Sequence, residues 1–151
     1  MEQCDILIAT LGKAIASQGA FVISDPPIRD FLINRMRTLI FSTALPPISL
    51  RWSTHILRRL PELEERRRHL RHLSRLICGD EHHTHIIPLM AGENRRAIEM
   101  SQRMREAGFW VMPIRYPTVP KGSARVRISL NAALPTEEII RFTELWKNAG
   151  W

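Results

Sequence analysis

A chain of 151 residues, 44% hydrophobic and 25% charged, has the size and apolar content of a single domain with one buried core. No uninterrupted apolar run approaches the roughly 20 residues that a bilayer requires, and the acidic, polar first residues lack a secretory pattern, so the cytoplasm is the expected compartment. The formal charge of +7 admits a polyanion as partner, while Cys4 and Cys78, far apart and without CxxC spacing, imply neither a zinc site nor a disulfide framework and read as reduced, buried small residues.

The first predicted element is an apolar run, Ile6 to Ile8, read as a buried strand that ends at Thr10, Gly12 and Lys13, where the chain turns and its backbone can approach a ligand. Lys13 has two readings. A loop lysine with its ammonium in water is the commoner case on spacing alone. The other is a reactive amine, because burial or a neighbouring cation can lower a lysine pKa until the free amine attacks a carbonyl.

Ala20 to Ser24 predicts a second short strand, and Asp25-Pro26-Pro27 supplies an N-cap and first-turn prolines for a helix to about Leu39, in which Ile28, Phe31, Leu32, Arg35 and Leu39 define a largely apolar face. Ser42 and Thr43 follow, ahead of Pro46-Pro47. Two adjacent hydroxyls before such a break suit either a phosphate-binding turn or an ordinary helix N-cap. Residues 51 to 75 then carry eight arginines against three glutamates. Ile56, Leu60, Leu63, Leu70, Leu73 and Ile77 recur at near-helical spacing, and Pro61 with Glu62, Glu64 and Glu65 marks a fresh helix start. A solvated helix face is therefore favoured over a nucleic-acid site, since no nucleic-acid motif accompanies the charge.

His82, His83 and His85 could ligate zinc, but no further fixed ligand or supporting shell accompanies them, so they read as a polar loop entering a strand from His85 to Met90, and no metal is expected. Gly92 to Gly108 predicts a helix with Ala97, Ile98, Met104 and Ala107 inward and Gly108 just past its end. Two strands, Phe109 to Ile114 and Ala124 to Leu130, flank a Pro- and Gly-rich connection containing Thr118. The second alternates, with Val126, Ile128 and Leu130 on one face and Arg125, Arg127 and Ser129 on the other. An arginine so placed can grip a carboxylate through two parallel hydrogen bonds. Thr136, Glu137 and Glu138 open a last helix with Ile139, Ile140, Phe142, Leu145 and Trp146 on its apolar side; Trp110, Trp146 and Trp151 are expected to pack.

Four segments carry a resemblance: TLGKAIASQGAFV from Thr10, IFSTALPP from Ile40, PLMAGENRRA from Pro88, and REAGFWVMPIRYPTVPKGSARVRISL from Arg105. Together they resemble the α-oxoamine synthases, pyridoxal-phosphate enzymes that condense an amino acid with an acyl thioester and release carbon dioxide. Members of that family are considerably longer, and their lysine lies beyond the middle. The resemblance therefore implies the C-terminal part of a fold-type I pyridoxal-phosphate transferase, expected to be inactive alone: α/β overall, with an α+β C-terminal domain in which a small sheet packs with helices. Residues 1–50 would end the large cofactor domain and 51–151 would form the small domain.

The resemblance also assigns roles. Lys13 would be the catalytic lysine that holds pyridoxal 5'-phosphate, and Thr10 would contact its phosphate from the same subunit. Ser42 and Thr43 would reach the phosphate of a neighbouring subunit, so that a homodimer shares its active sites. Arg127 would bind the amino-acid carboxylate, Thr118 would touch substrate, and Arg125 would be structural. The branch it most resembles serves biotin synthesis, which implies L-alanine and a pimeloyl thioester on coenzyme A or an acyl carrier protein, with no nucleic acid, metal or membrane. A glycine C-acetyltransferase-like enzyme is the alternative within the family, and a non-catalytic association domain or a basic binding module lies outside it. Two positions depart from the family pattern: Ala16 stands in place of a glycine and Leu134 in place of a histidine.

Overall fold

The computed structural model describes residues 4–79 and 84–150; the loop histidines His82 and His83, and Trp151, lie outside the described residues. The chain divides into two units, Met1–Glu62 and Leu63–Trp151.

In the first unit, β1 (Ile6–Thr10) pairs antiparallel with β2 (Ala20–Ser24), with Ile6 opposite Ser24 and Thr10 opposite Ala20. Three helices follow: α1 (Pro26–Arg35), α2 (Arg37–Ile40) and α3 (Pro47–Arg59). Pro26 and Pro27 begin α1 where a missing N–H costs nothing. Asp25 occupies the N-cap position, but its side chain makes no capping bond; its carbonyl accepts from the Arg29 N–H at 3.0 Å. The helix expected to continue to about Leu39 is interrupted at Met36, which adopts an extended ψ of 99° before α2 resumes. Neither proline nor glycine marks that break in the sequence. Ile28 and Leu32 are half-buried, whereas Phe31 and Leu39 are exposed.

The strand expected to be buried is not. Ile6, Leu7 and Ile8 are exposed, Ile8 to 69%. A strand apolar on both faces is the signature of one covered on both sides, but this sheet has only two strands, and within the unit α1 packs beside β2.

The second unit contains α4 (Glu64–Cys78), β3 (Ile86–Gly92), α5 (Asn94–Glu106), β4 (Met112–Ile114), β5 (Ala124–Ser129) and α6 (Thr136–Asn148). A 3₁₀ turn, Leu60–Leu63, precedes α4, which places Glu64 and Glu65 in the first helical turn. The three strands are antiparallel in the order β3-β5-β4. Ala124, Val126 and Ile128 are buried on one face of β5 and Leu130 just past its end, as the alternation predicts, in one core with Leu73 of α4, Met100 and Met104 of α5, and Ile139 and Phe142 of α6.

Helical periodicity selects the inward residues of the two packing helices more strictly than apolar content does. In α5 the buried set is Ala97, Met100, Ser101 and Met104, spaced i, i+3, i+4, i+7, which leaves Ile98 outside. In α6, Ile139, Phe142 and Thr143 are buried and Trp146 is half-buried in the same spacing, while Ile140 and Leu145 face out. Both inward hydroxyls are satisfied: Ser101 donates to the Val111 carbonyl and Thr143 to the Ile139 carbonyl, each at 2.8 Å.

Gly108, at φ +91°, ends α5 in the left-handed conformation expected of it. Its N–H bonds the Arg105 carbonyl at 2.9 Å and that of Phe109 bonds the Met104 carbonyl at 2.8 Å, a paired C-terminal closure. The strand expected from Phe109 is shorter than predicted because this closure occupies Phe109, whose ring meets Phe142 edge-on at 5.3 Å. Phe142 in turn stacks on Trp146. Trp110 does not pack into the core: it is 73% exposed, with the Arg105 guanidinium 4.3 Å above its ring.

Cys4 is exposed rather than buried, and Cys78 is half-buried; neither forms a disulfide among the described residues. The arginines of α4 behave as a solvated face, with Arg66, Arg68, Arg71 and Arg75 exposed and Glu64 receiving hydrogen bonds from Arg71 at 2.7 Å and Arg67 at 2.9 Å. Among the described residues no helix is long and apolar enough to cross a membrane.

Candidate active site

The loop between β1 and β2 is closed by its own backbone. The Leu11 N–H bonds the Gly19 carbonyl, that of Ser17 bonds the Leu11 carbonyl, and that of Ala16 bonds the Lys13 carbonyl, each at 2.9 Å. Leu11 anchors the loop in the unit's interior while Lys13 is exposed at its tip. The Lys13 amine makes no hydrogen bond or ion pair among the described residues. Gly19, at φ +96°, is a forced glycine: a Cβ there would stand 2.6 Å from Leu45 Cδ1. Ala16 adopts φ +51° although it is not glycine, so the position at which the sequence departs from the resembled family is also one whose backbone favours glycine.

A set of residues that the sequence does not single out holds this loop. Trp52 Nε1–H, on α3, donates to the Ile15 carbonyl at 3.0 Å. Ser53, buried to 5% exposure, donates to Ser17 Oγ at 2.8 Å, and Ser17 donates to the Ser49 carbonyl at 3.2 Å. Ser49 and Ser53 share one face of α3 at i, i+4 spacing, and the Ser53 hydroxyl also lies 2.8 Å from the Ser49 carbonyl. An open cleft of about 470 Å³ is lined by Ala16, Ser17, Gln18, Ile48, Ser49 and Trp52 and does not include Lys13.

Thr10 ends β1, three residues before Lys13, and its hydroxyl is uncommitted among the described residues. Ser42 and Thr43 lie in the turn between α2 and α3 of the same unit. Ser42 Oγ donates to the Leu39 carbonyl at 3.2 Å and so closes the end of α2; the N-cap of α3 is Pro46, not either hydroxyl residue. Thr43 is exposed and uncommitted.

The second unit holds the remaining candidates. Arg127 lies on β5, the central strand, directly opposite Pro88 of β3 and Met112 of β4. Its side chain belongs to the face away from the helices, shared with Arg125, and it makes no hydrogen bond or ion pair among the described residues. Arg125 differs in that its Nε–H donates to the Ser123 carbonyl at 3.0 Å. Ile86, Met90 and Met112 are exposed on the same sheet face. Thr118 is exposed in the turn between β4 and β5. Leu134, half-buried beside the core, presents its carbonyl to His69 Nε2 at 3.0 Å. Among the described residues no group of three or more histidine, cysteine or carboxylate side chains could hold a metal ion.

The sequence family model for aminotransferase class I and II matches residues 1–144. The chain belongs to the class I and II aminotransferase family. Among the relatives it is similar to within this family, the 8-amino-7-oxononanoate synthase of Haemophilus ducreyi is 45% identical over 92% of this chain and 38% of its own length. That of Chlorobaculum parvum is 46% identical over 92% of this chain and 38% of its own. Solved structures agree. A high-resolution structure of SPT with PLP as an internal aldimine superposes with a TM-score of 0.86 at 25% identity, covering 98% of this chain and 40% of that one. The 8-amino-7-oxononanoate synthase of Francisella tularensis gives 0.80 at 25% identity, covering 95% of this chain and 45% of that one.

These relatives bear out the family resemblance carried by the four segments, and the mixture of helices and small antiparallel sheets is that of a fold-type I pyridoxal-phosphate transferase, the fold class the sequence predicts. The chain spans about two fifths of the length of the relatives it matches.

Proposed function

We propose that this chain is the lysine-bearing C-terminal part of a pyridoxal-phosphate acyltransferase that condenses L-alanine with a pimeloyl thioester, on coenzyme A or an acyl carrier protein, releasing carbon dioxide to give 8-amino-7-oxononanoate. The first unit would close the large cofactor domain and the second would form the small domain, within a cytoplasmic homodimer. The observation that carries the reading is the uncommitted Lys13 amine on a backbone-closed loop at the end of β1. The names of relatives at 45% and 46% identity support the choice of substrates.

The donor set suits the cofactor. A phosphate needs hydroxyl and N–H donors, and Thr10 and Thr43 have uncommitted hydroxyls, while Ser42 has only a 3.2 Å bond to surrender. When bound, pyridoxal phosphate supplies an electron sink for the carbanion that forms at the amino-acid α-carbon. Lys13 Nζ would hold the cofactor and would be the general base for the amino-acid α-proton. Arg127 orients the amino acid by two parallel hydrogen bonds to its carboxylate, and Thr118 contacts the substrate beside it. Thr10 holds the phosphate of its own subunit; Ser42 and Thr43 hold that of the neighbour.

The test uses the chain's only three lysines, Lys13, Lys121 and Lys147. Incubation with pyridoxal phosphate, reduction with borohydride and peptide mapping should label Lys13 selectively, and Lys13→Ala should abolish that label. Even labelling of all three would remove Lys13 from the mechanism. Glycine outcompeting L-alanine for release of the bound cofactor would favour the glycine C-acetyltransferase-like reading. A second reading, an association domain without catalysis, rests on the exposed Ile6, Leu7 and Ile8 of β1; it predicts scattered labelling together with concentration-dependent self-association.

A further inference from the structure

We infer that Ser17, Ser53 and Trp52 form a clamp that positions the lysine loop, acting through the backbone on either side of Ala16; the inference rests on the reading of Lys13 as the cofactor-binding lysine. Three observations point to it. Ala16 sits at φ +51°, a conformation that an alanine adopts at a cost and keeps only where its surroundings fix it. Its two neighbours are both held by α3: the Ile15 carbonyl by Trp52 Nε1–H at 3.0 Å, and the Ser17 hydroxyl by Ser53 and by the Ser49 carbonyl. Ser53 is almost fully buried, so its hydroxyl is committed to this network and not to water.

The consequence is mechanical. The Lys13 side chain makes no hydrogen bond or ion pair among the described residues, and the Lys13 carbonyl accepts from the Ala16 N–H inside the clamped turn. The direction in which the Lys13 Cα–Cβ bond leaves the loop is therefore set by Ile15, Ala16 and Ser17. A lysine that must both hold a cofactor and return to take a proton gains from such preorganisation, because a misplaced base loses rate even when its chemistry is intact. Ser17, Ser53 and Trp52 would act on Lys13 through the loop backbone, as positioning residues.

Ser17→Ala in the full chain is the informative change. It removes the tie between loop and helix, yet Ser53 keeps the Ser49 carbonyl as a partner, so no buried hydroxyl is orphaned. Two readouts are taken together: amide hydrogen exchange by peptide, and the share of borohydride-trapped pyridoxal phosphate at Lys13 relative to Lys121 and Lys147. The expected result is exchange across residues 11–19 faster by about tenfold, as the loss of one hydrogen bond predicts, unchanged exchange in β3 and β5, and a several-fold fall in the Lys13 share. Ser17→Thr should restore both, and Trp52→Phe should reproduce the defect. Unchanged exchange over 11–19 would overturn the clamp. Faster exchange with an undiminished Lys13 share would overturn its positioning role. A wild-type chain without Lys13 selectivity would instead sink the cofactor-lysine reading, and the inference with it, while the exchange data still report whether the clamp exists.

Discussion

Ala16→Gly is expected to stabilise the first unit. The backbone at Ala16 lies at φ +51°, where an L-residue with a Cβ carries about 1–2 kcal/mol that glycine does not. Glycine gives part of that back, since its freer unfolded chain costs roughly 0.4–1 kcal/mol on folding. Ala16 is exposed, so its methyl contributes little burial that could be lost. The balance is a gain of about 0.5–1 kcal/mol. With a urea dependence on the order of 1 kcal/mol per molar for so small a unit, the unfolding midpoint should rise by roughly half a molar to one molar. Exchange-resolved urea titration of the peptides covering β2 and α3 would read that midpoint separately from the second unit. An unchanged or lower midpoint would show that the loop does not store this strain. Ala16→Val should move the same midpoint downward, because a β-branched residue tolerates positive φ least.

Leu73→Ala, at a side chain with no solvent exposure in the core of the second unit, should lower that unit's stability by about 2–5 kcal/mol in the same titration. Glu64 has its carboxyl held below the usual range by hydrogen bonds from Arg71 and then Arg67; a depressed carboxyl stabilises above its unfolded pKa and loses that contribution as pH falls through the folded value. Glu64→Gln should therefore reduce stability at neutral pH and cease to differ from wild type in acid, as a pair of melting curves at the two pH values would show. Arg127→Lys should weaken L-alanine binding to the cofactor-loaded protein by about tenfold or more, since lysine cannot reproduce the two parallel bonds; an unchanged spectral titration would end the carboxylate-binding role.

What the sequence revealed depended on whether a residue's environment leaves a period in the chain. The strand β5 was legible because its alternation has period two, and it placed Arg125 and Arg127 opposite Val126 and Ile128 before any coordinates. The interior of α5 was legible only in part. Apolar identity suggested Ile98, while the spacing of Ala97, Met100, Ser101 and Met104 decided the matter and admitted a serine, whose hydroxyl is satisfied by Val111. The break at Met36 left no signal, because neither of the usual breakers is present. Ser17 and Ser53 were invisible for a different reason. A hydrogen bond between residues 36 apart is a property of tertiary placement, and two serines at that separation carry no pattern.

The same contrast separates the two halves of the candidate chemistry. Arg127 stands on a central strand whose ladder partners, Pro88 and Met112, fix its position through backbone pairing on both sides. Its direction is consequently robust to change at any one neighbouring side chain. Lys13 stands on a loop whose shape depends on one strained alanine, one forced glycine and a few hydroxyl and indole contacts. Those contacts are each worth on the order of 1 kcal/mol, so the loop can be loosened without unfolding the unit. On the roles proposed above, Arg127 would be served by that backbone-fixed placement, whereas Lys13 would depend on several weak, separable bonds acting together to keep its loop in one shape.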